Sequence, residues 1–351
     1  MKTSGTDTAA VVLPSRSMKS AWSRALRRLG DSPEIGIIVA LVMVFAVFTI
    51  TNPLFASISD LQNPLGVDFA GFGILAVGES LTIITAGIDL SVGSLTAFFV
   101  VASAWLNVTA HLPMLLALLV TVAVGALWGL WHGWLITRLG VAPFVATLVT
   151  FIFAVGADEA IAPSPIPISS PSFLAISDST VLGVPVAVII FLVIAVAAWV
   201  FLERTYIGRE LYAVGGNPEA ARLAGIPVKR RLMLAYAVSG ACAGVVGIIE
   251  ASRLTSGTAD SVSGWELIAI AAAVIGGVSL RGGQGKLIGV VAGAALLVVL
   301  RDGLVAINVN AYYQSMVVGL VLLAAIVIDR LRVQRLERAS RRQVRPDRVE
   351  G

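Results

Sequence analysis

The stretch Glu203–Arg231, ERTYIGRELYAVGGNPEAARLAGIPVKRR, is the longest charged interruption between two hydrophobic segments of this 351-residue chain. Within it, Pro218-Glu219-Ala220-Ala221-Arg222-Leu223-Ala224 reads as one short helix. Asn217 suits an N-cap, Pro218 the first helical position, and Gly225 followed by Pro227 a stop. Two readings stand at this point. It is an ordinary solvated loop, or it is a capped helix outside a membrane that another protein grips.

Composition places the loop. The chain is 57% hydrophobic and 13% charged, with a mean hydropathy of +0.92. Soluble domains carry about 25% charged residues, so this is an integral membrane protein. The net charge of +4 does not suggest nucleic acid, because the basic residues are confined to particular loops. A single cysteine, Cys242, excludes an internal disulfide and reads as a small core residue. The first 33 residues are polar and basic. The apolar run from Ile35 starts too far in, and is too long, for a cleaved signal peptide, so it reads as an uncleaved first span.

A span needs roughly 20 mostly apolar residues. Ten are expected, at about 34–52, 66–86, 92–108, 114–136, 142–160, 182–202, 232–251, 264–280, 287–304 and 312–329. An even number puts both termini on one side. With the N-terminus inside, all but two of the 25 lysines and arginines fall in cytoplasmic tails and loops, the exceptions being Arg253 and Arg301. Glu203–Arg231 is then cytoplasmic. Trp105 and Trp265 fall at outer ends of spans, and Trp128, Trp131, Trp134 and Trp199 at inner ends, as an interfacial belt requires. The outer loop 161–181, rich in proline and serine, is either a plain linker or a docking surface.

Enzymatic chemistry is hard to find. The two histidines, His111 and His132, lie near opposite faces, and no His pair has metal-ligand spacing. Gly285-Lys286 lacks the first glycine and the Ser/Thr of a nucleotide loop, since Leu280 and Leu287 stand there. The chain therefore cannot hydrolyse ATP by that route. Polar chemistry at membrane depth is the other signal. A carboxylate in lipid costs about 3 kcal/mol, so Glu79 faces the bundle interior or a wet cavity. Glu79, Thr82 and Thr85 share one helix face, which either lines a hydrophilic path or bonds between helices. Asp89 and Ser91 either cap the next helix or touch substrate. These five are the candidate pathway residues. Glu250, Arg253 and Glu266 form either a mouth or interfacial ion pairs, and Arg301-Asp302 pair either locally or with another helix. The pairs Gly240/Gly244 and Gly289/Gly293 have the spacing of close helix contacts.

Four stretches carry a family resemblance: IITAGIDLSVG (83–93), GWLITRLGVAPFVATL (133–148), GRELYAVGGNPEAARLAGIP (208–227) and WELIAIAAAVIGGVSLRGGQGKLIGVVAG (265–293). Together they resemble the membrane permease of bacterial ribose/xylose/arabinose-type sugar ABC importers, within the branched-chain amino acid/sugar permease superfamily. The chain departs from that pattern at His132-Gly133, where relatives often have Asn-Gly. It also has Val155-Gly156 where relatives often carry an arginine, and an acidic run at Ala157-Asp158-Glu159-Ala160. These departures bear on the substrate.

The resemblance implies an all-α, ten-span, type II ABC importer-like permease fold with both termini cytoplasmic. It implies a multi-pass protein of the bacterial inner membrane: a tail at 1–33, a permease domain at 34–329, and a basic tail at 330–351, expected to fray. It also implies partners: a second permease chain, identical or not; a cytoplasmic ABC ATPase carrying ATP and Mg; and a periplasmic substrate-binding protein. The cargo is a monosaccharide or related polyol, and the chain itself binds no cofactor. Loop 203–231 would couple to the ATPase, through Gly208, Tyr212, Gly215, Gly216, Asn217, Glu219, Arg222 and Gly225. The rival readings are an ion-coupled secondary transporter using Glu79, and an ABC permease for branched-chain amino acids or nucleosides.

Overall fold

A computed structural model of the chain describes residues 33–62 and 65–343. The expected N-terminal tail up to residue 32, and residues 344–351 of the expected C-terminal tail, lie outside the described residues. An apolar helix stands at each of the ten expected spans. They are α1 (Pro33–Thr51), α3 (Leu65–Ile84), α4 (Ser91–Val108), α5 (Met114–Leu139), α6 (Pro143–Ile161), α8 (Val186–Arg204), α11 (Val228–Arg253), α12 (Trp265–Ile275), α13 (Leu287–Ala306) and α14 (Ala311–Gln343). The short helices α2 (Ile58–Gln62), α7 (Pro171–Asp178), α9 (Tyr206–Gly216) and α10 (Pro218–Leu223) lie between them. Strands among the described residues are two-residue ladders only, β1 (Ile166–Pro167) with β4 (Ser256–Gly257) and β2 (Thr180–Val181) with β3 (Val184–Pro185).

Eight of these helices are long and apolar enough to cross a membrane. The expected eighth span, 264–280, is shorter than its composition suggests. Gly264 enters α12 in the left-handed region (φ +83), and Gly277 leaves it likewise (φ +88). The 11 residues of α12 rise about 16 Å, half of a bilayer core of about 30 Å. At the other end of the chain, the last helix does not stop at 329. Its backbone is helical through Gln343.

Polarity decides which helices are central. Almost every residue of α3 is buried, whereas most of α1 is not. α3 carries Asp68 and Glu79, and protein surrounds it, which is how a helix with two carboxylates sits in a membrane. α1, α5, α6 and α8 instead expose Val42, Ile50, Leu119, Leu127, Val149, Ile152 and Val193 on their outer faces. In water such a surface would aggregate; in a bilayer it is solvated by lipid.

The tightest helix pair is α5 with α11. A side chain on Gly129 would strike the Tyr236 carbonyl, and one on Gly240 the Gly125 carbonyl. The expected Gly240/Gly244 contact is this one, and Gly289/Gly293 make the corresponding contact with Gly276 and Ala272 of the α12 segment. Loop 161–181 is packed rather than free. α7 buries Phe173, and the Ser252 hydroxyl donates to the Leu174 carbonyl (3.1 Å) while accepting the Ser177 N–H (3.1 Å).

Candidate functional site

Loop 203–231 holds two helices, α10 at the expected helical run and α9 ahead of it. α9 begins on Thr205, whose hydroxyl accepts the Gly208 N–H at 3.0 Å. Asn217 ends α9 and caps α10, its side-chain oxygen accepting the Ala220 N–H at 2.9 Å. Gly225, at φ +83, breaks the chain before α11.

The two helices differ in what they touch. α9 is amphipathic and buries Gly208, Leu211, Val214 and Gly215. Gly215 lies directly on the Ile84 carbonyl at the end of α3, and that carbonyl accepts the Gly283 N–H at 2.8 Å. The Tyr212 hydroxyl donates to the Gly285 carbonyl at 3.0 Å. Burial, with the Glu203 carboxylate nearby, pushes its pKa up to about 12, so the hydroxyl stays a donor well above neutral pH. Glu210 pairs with Arg231 at the start of α11. α9 is thus fixed at once to α3, to the 279–286 turn and to α11. α10 exposes every residue but Ala221. Its Glu219–Arg222 ion pair (2.6 Å) stands in solvent and holds the guanidinium pKa above its ordinary value. Of the expected coupling residues, Gly208, Tyr212 and Gly215 therefore face the membrane domain. Gly216, Asn217, Glu219, Arg222 and Gly225 face outward.

The candidate pathway residues Glu79, Thr82, Thr85, Asp89 and Ser91 are all enclosed. The Thr82 and Thr85 hydroxyls turn back onto their own helix, donating to the Glu79 and Thr82 carbonyls at 2.7 and 2.9 Å. The other three converge. Glu79 Oε1 accepts the Asp89 N–H at 3.1 Å. Asp89 Oδ1 accepts both the Ser91 N–H (3.0 Å) and the Ser91 hydroxyl, and so satisfies the first N–H of α4. Asp89 Oδ2 accepts the Ser239 hydroxyl of α11 at 2.9 Å. Tyr236 of α11 sets its hydroxyl against Gly87. The His132 ring lies 6.2 Å edge-on to Tyr236 and bonds Thr150 at 2.7 Å. Ser239, Tyr236 and Thr150 carry no sequence signal that sets them apart; His132 stands out as one of two histidines and as a departure from the family pattern. Glu79 Oε2, His132 Nδ1 and the Tyr236 hydroxyl have no hydrogen-bond partner among the described residues.

A second polar network sits at the opposite end of α3. Arg253 bridges Glu250 on its own helix (2.8 Å) and Asp68 on α3 (3.1 Å). The Arg301 guanidinium lies over the Phe72 ring at 5.3 Å. Glu266 is apart from this group, packed against Gly93 of α4. Asp158, in the acidic run 157–160, is buried, and its Oδ2 accepts the Asp260 N–H at 3.4 Å.

Residues 65–326 match the family described as branched-chain amino acid transport system / permease component. Among curated proteins, the ribose import permease protein of Escherichia coli is 37% identical over 300 residues, covering 83% of this chain and 92% of that one. The D-allose transport system permease protein of Escherichia coli is 33% identical over 299 residues, covering 85% and 92%. The galactose/methyl galactoside import permease protein of Escherichia coli is 36% identical over 321 residues, covering 86% and 95%. No solved structure matches the chain significantly. The family profile spans most of the chain and these relatives run nearly end to end, so the chain belongs to the branched-chain amino acid transport system permease family.

Proposed function

We propose that this chain is the membrane-spanning subunit of an ATP-driven importer that moves a monosaccharide or related polyol into a bacterial cytoplasm. The observation that carries the reading is near end-to-end similarity to permeases named for ribose, allose and galactose. Ten spans with both termini inside is the topology that best fits the confinement of Lys and Arg. A second permease chain, identical or not, completes the pathway. A cytoplasmic ATPase binds ATP and Mg, and a periplasmic binding protein delivers the sugar.

In this reading the ATPase grips α10, whose residues other than Ala221 face solvent, and α9 carries the movement inward. α9 is seated on the Ile84 carbonyl and on the 279–286 turn, so its displacement shifts the ends of α3 and α12 together. Asp89, five residues beyond Ile84, links the α3–α4 turn to α11 through Ser239. We assign Glu79, Thr82, Thr85, Asp89 and Ser91 to the part of the pathway that opens when this end of α3 moves. A neutral cargo requires no buried counter-ion there, and hydroxyl partners suffice.

The test is uptake of radiolabelled D-ribose, D-allose and D-galactose by vesicles holding the chain with its ATPase and binding protein. Uptake of at least one should require ATP and survive an uncoupler. Loss of uptake on adding the uncoupler, with ATP present, would favour the ion-coupled rival. Uptake of leucine or a nucleoside in place of the sugars would move the chain to another branch of the family.

A further inference from the structure

The end of the bundle opposite α9 contains a cavity of about 410 Å³. The chain between α1 and α3, the first turn of α3, the last turns of α13 and the start of α14 line it. Its polar wall is Asn52, Asp60, Asp68, Arg301, Asp302 and Gln314, beside Phe55 and Leu65. A second cavity of about 270 Å³ shares Arg301 and Gln314 with the first. It runs along α14 to Gly264 and Trp265, where the half-length α12 begins.

Arg301 is the anomaly. It is one of the two cations outside the cytoplasmic set. The other, Arg253, has Glu250 and Asp68 as ion-pair partners. Arg301 lies over the Phe72 ring and within electrostatic reach of the Asp302 and Glu250 carboxylates, but its N–H groups make no hydrogen bond or close ion pair among the described residues. A partly enclosed guanidinium with open donors is costly unless something supplies acceptors. Gln314 donates its amide to the Val309 carbonyl (2.7 Å), which leaves its own side-chain oxygen free. Asp302 Oδ2 is buried without a hydrogen-bond partner.

The mixed signs select the ligand. An anion drawn to Arg301 meets Asp60 and Asp302, and a cation drawn to those carboxylates meets Arg301. A neutral vicinal diol satisfies both, because each hydroxyl accepts from the guanidinium and donates to a carboxylate or carboxamide oxygen. The volume lies within the range of about 300–1,000 Å³ typical of small-molecule sites. The geometry points to a binding site for a neutral polyhydroxylated ligand of monosaccharide size in this cavity, held by Arg301, Asp302 and Gln314. Its place in the transport cycle rests on the importer reading: it is where sugar first lodges, before the second cavity leads it toward the start of α12.

The experiment uses the complete transporter in vesicles, with D-ribose, D-allose and D-galactose as probes. Gln314→Cys is labelled with a polar maleimide with and without each sugar, against the unaltered chain, whose Cys242 is buried. Uptake is measured in parallel for Gln314→Ala and Arg301→Gln. The site requires that a sugar slow labelling at position 314 several-fold. It also requires that Arg301→Gln raise the KM for uptake about tenfold or more, as loss of a charge-assisted hydrogen bond implies. Should Arg301→Gln fail to fold, Gln314→Ala carries the same expectation with a smaller rise. Uptake by the unaltered chain with no protection at 314 and no change in KM overturns the site and leaves the importer reading intact. Protection without uptake keeps the site and removes the importer reading. Neither protection nor uptake overturns both.

Discussion

α9 and α10 are neighbours in one loop, capped through the same Asn217, and they are built for opposite tasks. α9 is held by backbone contacts that leave no room. α10 is held by its cap and little else. Adjacent glycines show the difference most sharply. A Cβ on Gly215 would overlap the Ile84 carbonyl and lie 2.7 Å from the Gly283 nitrogen. A Cβ on Gly216 would find its nearest neighbour at 4.0 Å. A movement applied to α10 reaches α3 and the 279–286 turn through α9, a helix whose backbone contacts leave it no room to slip.

Gly215→Ala breaks the seat, and the largest effect is expected there. Overpacking against backbone costs about 1–3 kcal/mol, so the melting temperature in detergent should fall and uptake should cease. Gly216→Ala should leave the melting temperature unchanged or slightly higher. Equal effects at the two positions would remove the distinction. Glu210→Ala comes next. It leaves Arg231, which is mostly buried, without its partner, at about 1–2 kcal/mol, again read by thermal unfolding. Asn217→Ala should cost about 1 kcal/mol through the lost cap and weaken ATPase capture more than it lowers the melting temperature.

Tyr212→Phe removes one hydrogen bond, worth about 1 kcal/mol. It also removes a pH dependence of defined sign. The folded pKa of about 12 lies above the ordinary 10.0, so this contribution is complete below pH 10 and lost as the pH rises through 12. The variant's unfolding profile should be flatter in that window. Arg222→Glu should have the smallest effect on stability, since the Glu219–Arg222 pair stands in solvent. Its consequence should appear in pull-down of the ATPase.

Sequence reading reached these regions unevenly. α10 was legible because its signals are local: Asn217, Pro218 and Gly225 fix a start and a stop by themselves. α9 was not legible. YIGRELYAVGG holds three glycines and alternating charge, and its helicity comes from what it packs on. Hydropathy located the spans but not the length of α12. Apolar composition continues to residue 280, while the left-handed backbone at Gly264 and Gly277 ends the helix on both sides. In the buried cluster, Glu79 and Asp89 were visible as charges in an apolar run. Ser239 and Tyr236 reach them from more than a hundred residues away and look like any other span residues. Thr82 and Thr85 share a face with Glu79, but spacing alone does not reveal that their hydroxyls bond back to carbonyls.

The most direct test of the division of labour in loop 203–231 is photo-crosslinking in vesicles that contain the chain and its ATPase. A photoreactive side chain replaces Leu223 of α10, which is 77% exposed, or Leu211 of α9, which is buried. Position 223 should give an adduct with the ATPase, and position 211 an adduct within the chain only. An ATPase adduct absent at 223, or present at 211, would contradict the assignment of α10 as the gripped helix and α9 as the transmitter.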